Sequence, residues 1–127
     1  MATEIKFQEM KWVRSLTIPL AYSDTTAQRA FYLPQGAEIL DWIVNVQTLF
    51  AGAGATTTLD VGIRGNPDYF IDGVAVNAVG RAVPSILIPG YVVTALMEEV
   101  WVQIGAGNTS GALRLTCLFS MDTNAGF

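Results

Sequence analysis

Residues 33–50, LPQGAEILDWIVNVQTLF, decide the fold of this chain. A turn of proline, glutamine and glycine at 34–36 opens the stretch, and a run of β-forming residues follows it. Alternation with a period of two then predicts a strand that is buried on one side and partly covered on the other. The face predicted to be buried carries Leu40, Trp42, Val44, Val46 and Phe50. The opposite face carries Asp41, Asn45 and Gln47, with Ile39, Ile43 and Leu49 among them.

Similar short runs recur along the chain and predict about eight strands joined by turns rich in glycine and proline, with no long helix. This pattern favours an all-β, single-domain antiparallel β-sandwich with a jelly-roll-like arrangement, and a small β-barrel is the alternative. We expect residues 30–121 to form the sandwich core and residues 122–127 to form a flexible tail. Residues 1–29 are expected to supply a strand and a loop, and to serve as an attachment or oligomerisation arm.

Three segments give more specific predictions. Residues 100–104 and 113–121 alternate between apolar and polar, and the turn GAGNTSG lies between them, which predicts a hairpin. Residues 64–73, RGNPDYFIDG, are rich in turn-forming residues and predict a loop inserted between strands. Residues 85–97 predict further short strands.

The composition indicates a subunit of an assembly. The 127 residues suffice for one domain, and 51% are hydrophobic while 14% are charged, against roughly 25% charged in ordinary soluble domains. No apolar run reaches the roughly 18 residues that span a bilayer, and the charged start of the chain does not resemble a secretory signal. Burial between subunits is the leading explanation, and a monomer with an unusually full core is the alternative.

Charge and cysteine content narrow the possible partners. The net charge is −4, and the Lys and Arg residues are scattered singly, so no basic stripe is present to bind a nucleic-acid backbone. The single cysteine, Cys117, excludes an internal disulfide and lies in an alternating apolar run, where cysteine is usually a small buried hydrophobe. We therefore expect synthesis in a reducing cytoplasm, with no nucleic-acid or membrane partner.

The residues offer little chemistry for catalysis. Without histidine, neither a Ser-His-Asp triad nor a Cys-His pair can form, and no glycine-rich phosphate loop is present. Asp60, Asp68 and Asp72 lie in or near the predicted loop, and Glu98 adjoins Glu99; these are the residue types of a catalytic carboxylate pair or of an oxygen-rich calcium site. Aspartates beside glycine and proline more often cap turns through backbone amides. We expect no enzyme activity and no catalytic, cofactor-binding or metal site.

Five apolar residues are candidates for contact with a partner. Tyr69 and Phe70 lie in the predicted loop, where they are hard to bury in their own domain and could anchor an interface. A platform for stacking a sugar and simple folding of the loop onto the sandwich are the alternatives. Phe7, Met10 and Trp12 are the candidates in the N-terminal segment.

Three stretches carry a resemblance to a known family: LPQGAEI at 33–39, TLDVGIRGNPDYFIDG at 58–73, and VWVQIGAGNTSGALRLTCLF at 100–119. In their order and turn residues they resemble small virion proteins of tailed bacteriophages, the capsid decoration (cement) proteins and their head-fibre relatives. The resemblance extends over residues 30–121.

The resemblance implies a protomer that assembles with itself, as a trimer, on the outer surface of the capsid. It also implies that the trimer contacts the major capsid protein and stabilises the head, and that the protein is made in the host cytoplasm before it joins the virion. The alternative is a host- or glycan-binding module associated with a tail or fibre.

Overall fold

The computed structural model of the chain describes residues 11–54 and 56–122, which form eight β-strands and no helix. The strands are β1 (Lys11–Ala21), β2 (Gln28–Pro34), β3 (Glu38–Ala51), β4 (Thr58–Ile63), β5 (Asn66–Ala75), β6 (Gly80–Ala82), β7 (Met97–Ile104) and β8 (Ser110–Asp122).

The strands pair antiparallel in two four-stranded sheets. The first sheet has the order β1-β8-β3-β6, and the second has the order β2-β7-β4-β5. Every connection except the one between β4 and β5 passes from one sheet to the other, which is the jelly-roll arrangement. The predicted all-β sandwich is therefore confirmed. The barrel alternative is wrong, because within the described residues no strand of one sheet pairs with a strand of the other.

The core lies between the two sheets and follows the alternation in the sequence. On β7, Val100, Val102 and Ile104 are buried, as are Leu113, Leu115, Cys117, Phe119 and Met121 on β8. Each fully buried aliphatic side chain of this kind contributes roughly 1.5–3 kcal/mol relative to its exposed state. The inward face of these two strands was predicted correctly.

A β-bulge in β3 corrects the predicted face of that strand. Ile39 pairs with Phe119 and Asp41 pairs with Leu118, so Leu40 is an extra residue on β3 without a counterpart on β8. An extra residue reverses the alternation locally. As a result Ile39 is buried and Leu40 is 44% exposed, the reverse of the prediction, while Trp42 returns to the core.

The predicted C-terminal hairpin is wrong, although both of its strands exist. β7 pairs with β2 and β4, whereas β8 pairs with β1 and β3, so the connection at 105–109 crosses from one sheet to the other. Two alternating strands around a glycine-rich turn produce the same sequence pattern in a hairpin and in a crossing between sheets. Gly111, the second residue of β8, requires glycine, because its φ is +145° and an added Cβ would lie 2.4 Å from Cδ2 of Phe50.

The predicted loop at 64–73 is also wrong. Ile63 of β4 pairs with Asn66 of β5, so the turn is confined to Arg64 and Gly65, and the following residues form a full strand. The proline at 67 does not prevent this, because β5 is an edge strand with one unpaired side.

The strands predicted at 85–97 are mostly absent. Only isolated bridges form there, from Ile86 to β5 and from Val92 to β3, and regular structure resumes at Met97. Proline at 84 and 89 removes amide donors that a regular strand would need.

Candidate interaction surface

An open groove is lined by residues of β1, β2 and β8. It has a volume of about 530 Å³, which is within the range of about 300–1,000 Å³ common for ligand pockets. Its floor is formed by Phe119 and Met121 of β8, both buried. The residues that line this open groove are Arg14, Ser15, Leu16, Tyr32, Pro34, Phe119 and Met121.

The open groove lies beside inward-facing residues of β1, above a floor that is itself buried. Trp12 pairs with Met121 and Arg14 pairs with Phe119, and residues directly opposite on paired strands share a face. Trp12 and Arg14 therefore lie on the core side of β1, yet Trp12 is 43% exposed. The guanidinium carbon of Arg14 lies 5.0 Å from the centre of the Trp12 ring.

A second surface, the Glu99 cluster, lies on the outer face of the second sheet. The Glu99 carboxylate accepts a hydrogen bond from Nε1 of Trp101 at 3.1 Å and lies 3.4 Å from Arg29 and 4.0 Å from Arg64. The Trp101 hydrogen bond, together with the charges of Arg64 and Arg29, holds the pKa of Glu99 below its ordinary value. Arg29 also stacks on the ring of Tyr32 at 4.9 Å.

The third surface is the apolar segment, residues 79–97, which includes the short strand β6 and ends at the first residue of β7. Half of the twelve large hydrophobic side chains that are exposed in the described part of the chain lie in it. Its one charged residue, Arg81, forms an ion pair with Asp41 at 3.3 Å. The exposed members of this apolar segment are Val79, Val83, Leu87, Val92, Leu96 and Met97.

Backbone hydrogen bonds hold the apolar segment against both sheets. The amide of Leu87 donates to the carbonyl of Phe70 on β5 at 3.0 Å, and the amide of Val93 donates to the carbonyl of Ala37, just before β3, at 2.8 Å. The segment therefore presents its apolar side chains from a fixed path beside β3 and β5.

Comparison with known proteins identifies the fold. No protein-family model matches the sequence, and no curated protein matches it. Solved structures that match almost the whole chain include those of three bacteriophage capsids. The first is the acid-stable capsid of Helicobacter pylori bacteriophage KHP30, with a TM-score of 0.69 and 18% identity over 90% of this chain and 94% of that one. The chain has the fold of phage capsid chains.

The other two matches have lower TM-scores and similar coverage. The capsid asymmetric unit of cyanophage Pam1 matches with a TM-score of 0.59 and 16% identity over 95% of this chain and 91% of that one. The capsid of Ralstonia phage GP4 matches with a TM-score of 0.59 and 21% identity over 98% of this chain and 93% of that one. In each case the likeness covers both chains almost end to end.

The predicted interface residues that the structure describes lie in different parts of the fold. Phe7 and Met10 lie outside the described residues, and Trp12 lies beside the open groove. Phe70 is fully buried, with its ring centre 5.4 Å from that of Trp42, so its prediction as an exposed interface anchor is wrong. It belongs to strand β5, whose alternation turns it inward.

Tyr69 is half-buried in an aromatic group beneath the apolar segment. Its ring centre lies 5.9 Å from that of Tyr91, and the hydroxyl of Tyr91 donates to Oε1 of Glu98 at 2.5 Å. Burial, together with Glu98, raises the pKa of Tyr91 to about 12. The alternative, in which these residues fold onto their own sandwich, therefore applies to the buried Phe70 and in part to the half-buried Tyr69.

The carboxylates near β4 and β5 behave as structural groups. Burial raises the pKa of Asp60, and the charges of Asp72 and Asp68 act in the same direction, while a hydrogen bond from the Gly73 amide opposes them. This contact joins β4 to β5 and is not the local turn cap that was predicted for the aspartates. In residues 11–54 and 56–122 no group of three or more His, Cys, Asp or Glu side chains is placed to hold a metal ion. No helix in those ranges is long and apolar enough to cross a bilayer.

The open groove, the Glu99 cluster and most of the apolar segment were not predicted as sites. Arg29 and Tyr32 stand out in the sequence only after β2 is known to be an edge strand beside β7. The apolar segment did carry a usable signal, because residues 79–97 contain a single charge.

Proposed function

We propose that this chain is a decoration (cement) protein of a tailed bacteriophage, which binds the outer capsid surface as an oligomer and stabilises the head without catalysis. The observation that carries the proposal is the end-to-end likeness to chains from three phage capsids. The sequence resemblance over residues 30–121 points to the same class of protein independently.

The exposed surface supports an assembled state. Twelve large hydrophobic side chains are at least 40% exposed in the described residues, and six of them belong to the apolar segment. Exposed apolar surface of this extent supports an interaction site. An acidic chain, with a sequence pI of about 4.5, is repelled by packaged DNA and suits the capsid exterior.

The apolar segment is the surface we assign to the capsid. It is nearly uncharged, it is held at both ends by backbone hydrogen bonds, and Leu96 projects from it with 86% exposure. A trimer would present three copies of this segment to neighbouring capsid subunits. Each further contact then forms at high effective concentration, so modest single contacts add up to firm attachment to the major capsid protein.

Binding to heads tests the proposal. Purified chain is added to heads of the encoding phage prepared without it, and the bound protein is measured by sedimentation. We expect saturation at a fixed copy number, and at least tenfold weaker binding for Leu96→Asp. Tyr22→Asp is the matched control, because Tyr22 is also exposed but lies at the other end of the sandwich, where its amide bonds to Gly111. Absence of saturable binding by the wild-type chain would contradict the proposal.

The alternative of a glycan-binding module is not supported at the residues predicted to stack against a sugar. That platform consisted of Tyr69 and Phe70, and the Phe70 ring is inaccessible in the folded chain. The exposed Tyr32 ring has the guanidinium of Arg29 stacked on it, so a sugar would have to displace that group.

A further inference from the structure

The open edge of strand β1 is a surface that the proposed function does not yet use. β1 lies at the edge of the first sheet, and among the described residues only β8 pairs with it. The 11 residues of β1 pair with β8 in one unbroken register along their whole length. Regular pairing on one side leaves a row of backbone donors and acceptors on the other side, and such a row is a template for a further strand.

Hydrogen bonds at the end of β1 show which residues direct their backbone groups towards the open edge. Tyr22, the residue after β1, donates its amide to the carbonyl of Gly111 on β8 at 3.0 Å. The unbroken register carries this parity back along the strand, so the even-numbered residues bond to β8. In an antiparallel pair the alternate residues point the other way. The odd-numbered residues Val13, Ser15 and Thr17 therefore direct their amides and carbonyls away from β8.

One half of this edge is blocked, and the other half is not. Pro19 is an odd-numbered residue without an amide hydrogen, and proline is a usual device that protects an edge strand from pairing. Asp24 engages both outward groups of Ala21, because its carboxylate accepts from the Ala21 amide at 2.8 Å and its amide donates to the Ala21 carbonyl at 3.0 Å. In the described chain, residues 13–17 carry neither device, and all of them except Leu16 are exposed.

The positions of the outward groups fix the register in which two copies of β1 can pair. A twofold axis at Ser15 sets Val13 opposite Thr17 of the second copy, and all three positions then exchange both of their hydrogen bonds. Shifting the axis one residue towards the N-terminus sets the two copies of Arg14 directly opposite each other, which is destabilising. Shifting it one residue the other way sets Val13 opposite Pro19, which has no hydrogen to donate.

We propose that β1 of one copy pairs antiparallel with β1 of a second copy about a twofold axis at Ser15, so that their first sheets become one continuous sheet. A twofold contact cannot by itself build the proposed trimer, so it joins copies that belong to neighbouring trimers. On a head these copies are held at high effective concentration, and a short pairing is then sufficient. The contact deepens the self-association in the proposed function and rests on that part alone.

Disulfide trapping tests the pairing in the isolated full-length chain. Ser15→Cys places a thiol opposite its counterpart, at the Cα separation of about 5.5 Å that hydrogen-bonded pairs have and that a disulfide can span. Mild oxidation is expected to give a species of twice 13.7 kDa under denaturing conditions without reductant. The native thiol of Cys117 is buried and does not compete. Absence of the Ser15→Cys product would overturn the inference.

Two further variants test the register. Val13→Cys and Thr17→Cys each place the thiol about 13 Å from its own counterpart, which is four residues away at about 3.3 Å per residue. Neither variant should therefore cross-link by itself. A mixture of the two, carried on differently tagged chains, should form the mixed species. Equal yields from the mixture and from each variant alone would show random collision and would overturn the inference.

A proline substitution provides the second test. Ser15→Pro removes the outward amide hydrogen at the axis, and the fold should accept it because Pro19 has the same orientation in the same strand. In sedimentation equilibrium, the concentration at which the oligomer doubles its mass should rise about tenfold or more, since both hydrogen bonds at the axis are lost. Ser15→Ala keeps the amide and should leave that concentration unchanged. Equal behaviour of the two variants would overturn the inference.

Binding to heads is measured separately from both tests. A chain that pairs in this register but does not bind heads would contradict the capsid-binding part of the proposed function alone. A chain that binds heads, yet neither doubles its mass nor gives the Ser15→Cys product, would overturn the β1 contact alone.

Discussion

The closed core around Trp42 and the open groove beside Trp12 use the same sequence pattern with opposite results. Both tryptophans lie on inward-facing positions of strands in the first sheet, each opposite a buried residue of β8. Trp42 is fully buried on the inner strand β3 and packs against Phe70 of the second sheet, while Trp12 is 43% exposed on the edge strand β1. Alternation thus determines which way a side chain points, and the position of its strand in the sheet determines how far it is covered.

Truncating each tryptophan to alanine tests this comparison with the largest expected effect. We expect Trp42→Ala to lower the free energy of unfolding by about 3–5 kcal/mol, because a large cavity remains in the core. Trp12→Ala should lower it by less than about 1 kcal/mol in the isolated protomer. Denaturant titration at a concentration where the chain is dissociated measures both. Equal losses would show that the groove is closed within one protomer.

Trp42→Phe separates the loss of packing from the cost of the unpaired Nε1 of Trp42. Nε1 of Trp42 is the one buried side-chain polar atom of the described residues that lacks a hydrogen-bond partner. Such a group costs about 1–3 kcal/mol. Its removal offsets part of the packing loss, so Trp42→Phe should cost less than half of what Trp42→Ala costs in the same titration.

Two glycines extend the comparison to the backbone. Gly111 lies against Phe50 with a φ of +145°, whereas Gly36 has a φ of +88° and open space around its Cβ position. Gly111→Ala should cost about 2–4 kcal/mol, from overpacking and the unfavourable φ together. Gly36→Ala should cost only about 1–2 kcal/mol, since the backbone conformation alone is penalised. Thermal or denaturant unfolding distinguishes them, and equal costs would contradict the close contact.

The thiol of Cys117 reports on the closed core at alkaline pH. Burial raises its pKa to about 12, from about 9 in the unfolded chain, so the folded state keeps the proton that the unfolded state loses. The stabilising effect is complete below pH 9 and is lost as the pH rises towards 12. We expect Cys117→Ala to flatten the fall in stability over this range, with the remaining slope due in part to Tyr91, whose pKa is also about 12. If stability falls as steeply between pH 9 and 12 in Cys117→Ala as in the wild type, the raised pKa of Cys117 would be contradicted.

The same thiol allows a direct comparison with the groove. Native Cys117 should react with a maleimide only on unfolding, whereas the cysteine of Ser15→Cys should react at once in the dissociated protomer.

The smallest effect is expected at the Glu99 cluster, on the solvent-facing side of the second sheet. Glu99→Gln should change the denaturation midpoint at neutral pH only slightly, because exposed ion pairs contribute little. Since the pKa of Glu99 is lowered in the fold, its contribution is present above the ordinary carboxylate pKa and is lost as the pH falls below it. The difference in denaturation midpoint between wild type and Glu99→Gln should therefore vanish in acid. A difference that grows in acid would contradict the lowered pKa of Glu99.

Sequence reasoning was strongest where one strand could be considered alone. The buried face of β8, from Leu113 to Met121, follows directly from period-two alternation. It was weakest where the outcome depends on pairing. The bulge at Leu40 changes the register through its partner strand, and the crossing at 105–109 depends on which sheet each flanking strand joins. Neither property is local in the sequence.

The interaction surfaces could not be predicted from the sequence for the same reason, because they depend on strand pairing. Phe70 was predicted to be exposed because the turn residues around it suggested a loop, whereas β-sheet pairing turns it inward beside Trp42. Arg29 and Arg64, which meet at Glu99, are distant in sequence and come together only when β2 and β4 flank β7.

The native mass of the purified wild-type chain at micromolar concentration tests the central claim most directly. If the apolar segment exists to be covered by other subunits, the chain should be an oligomer, with a trimer at three times 13.7 kDa as the predicted species. A stable monomer of 13.7 kDa under these conditions would contradict the account.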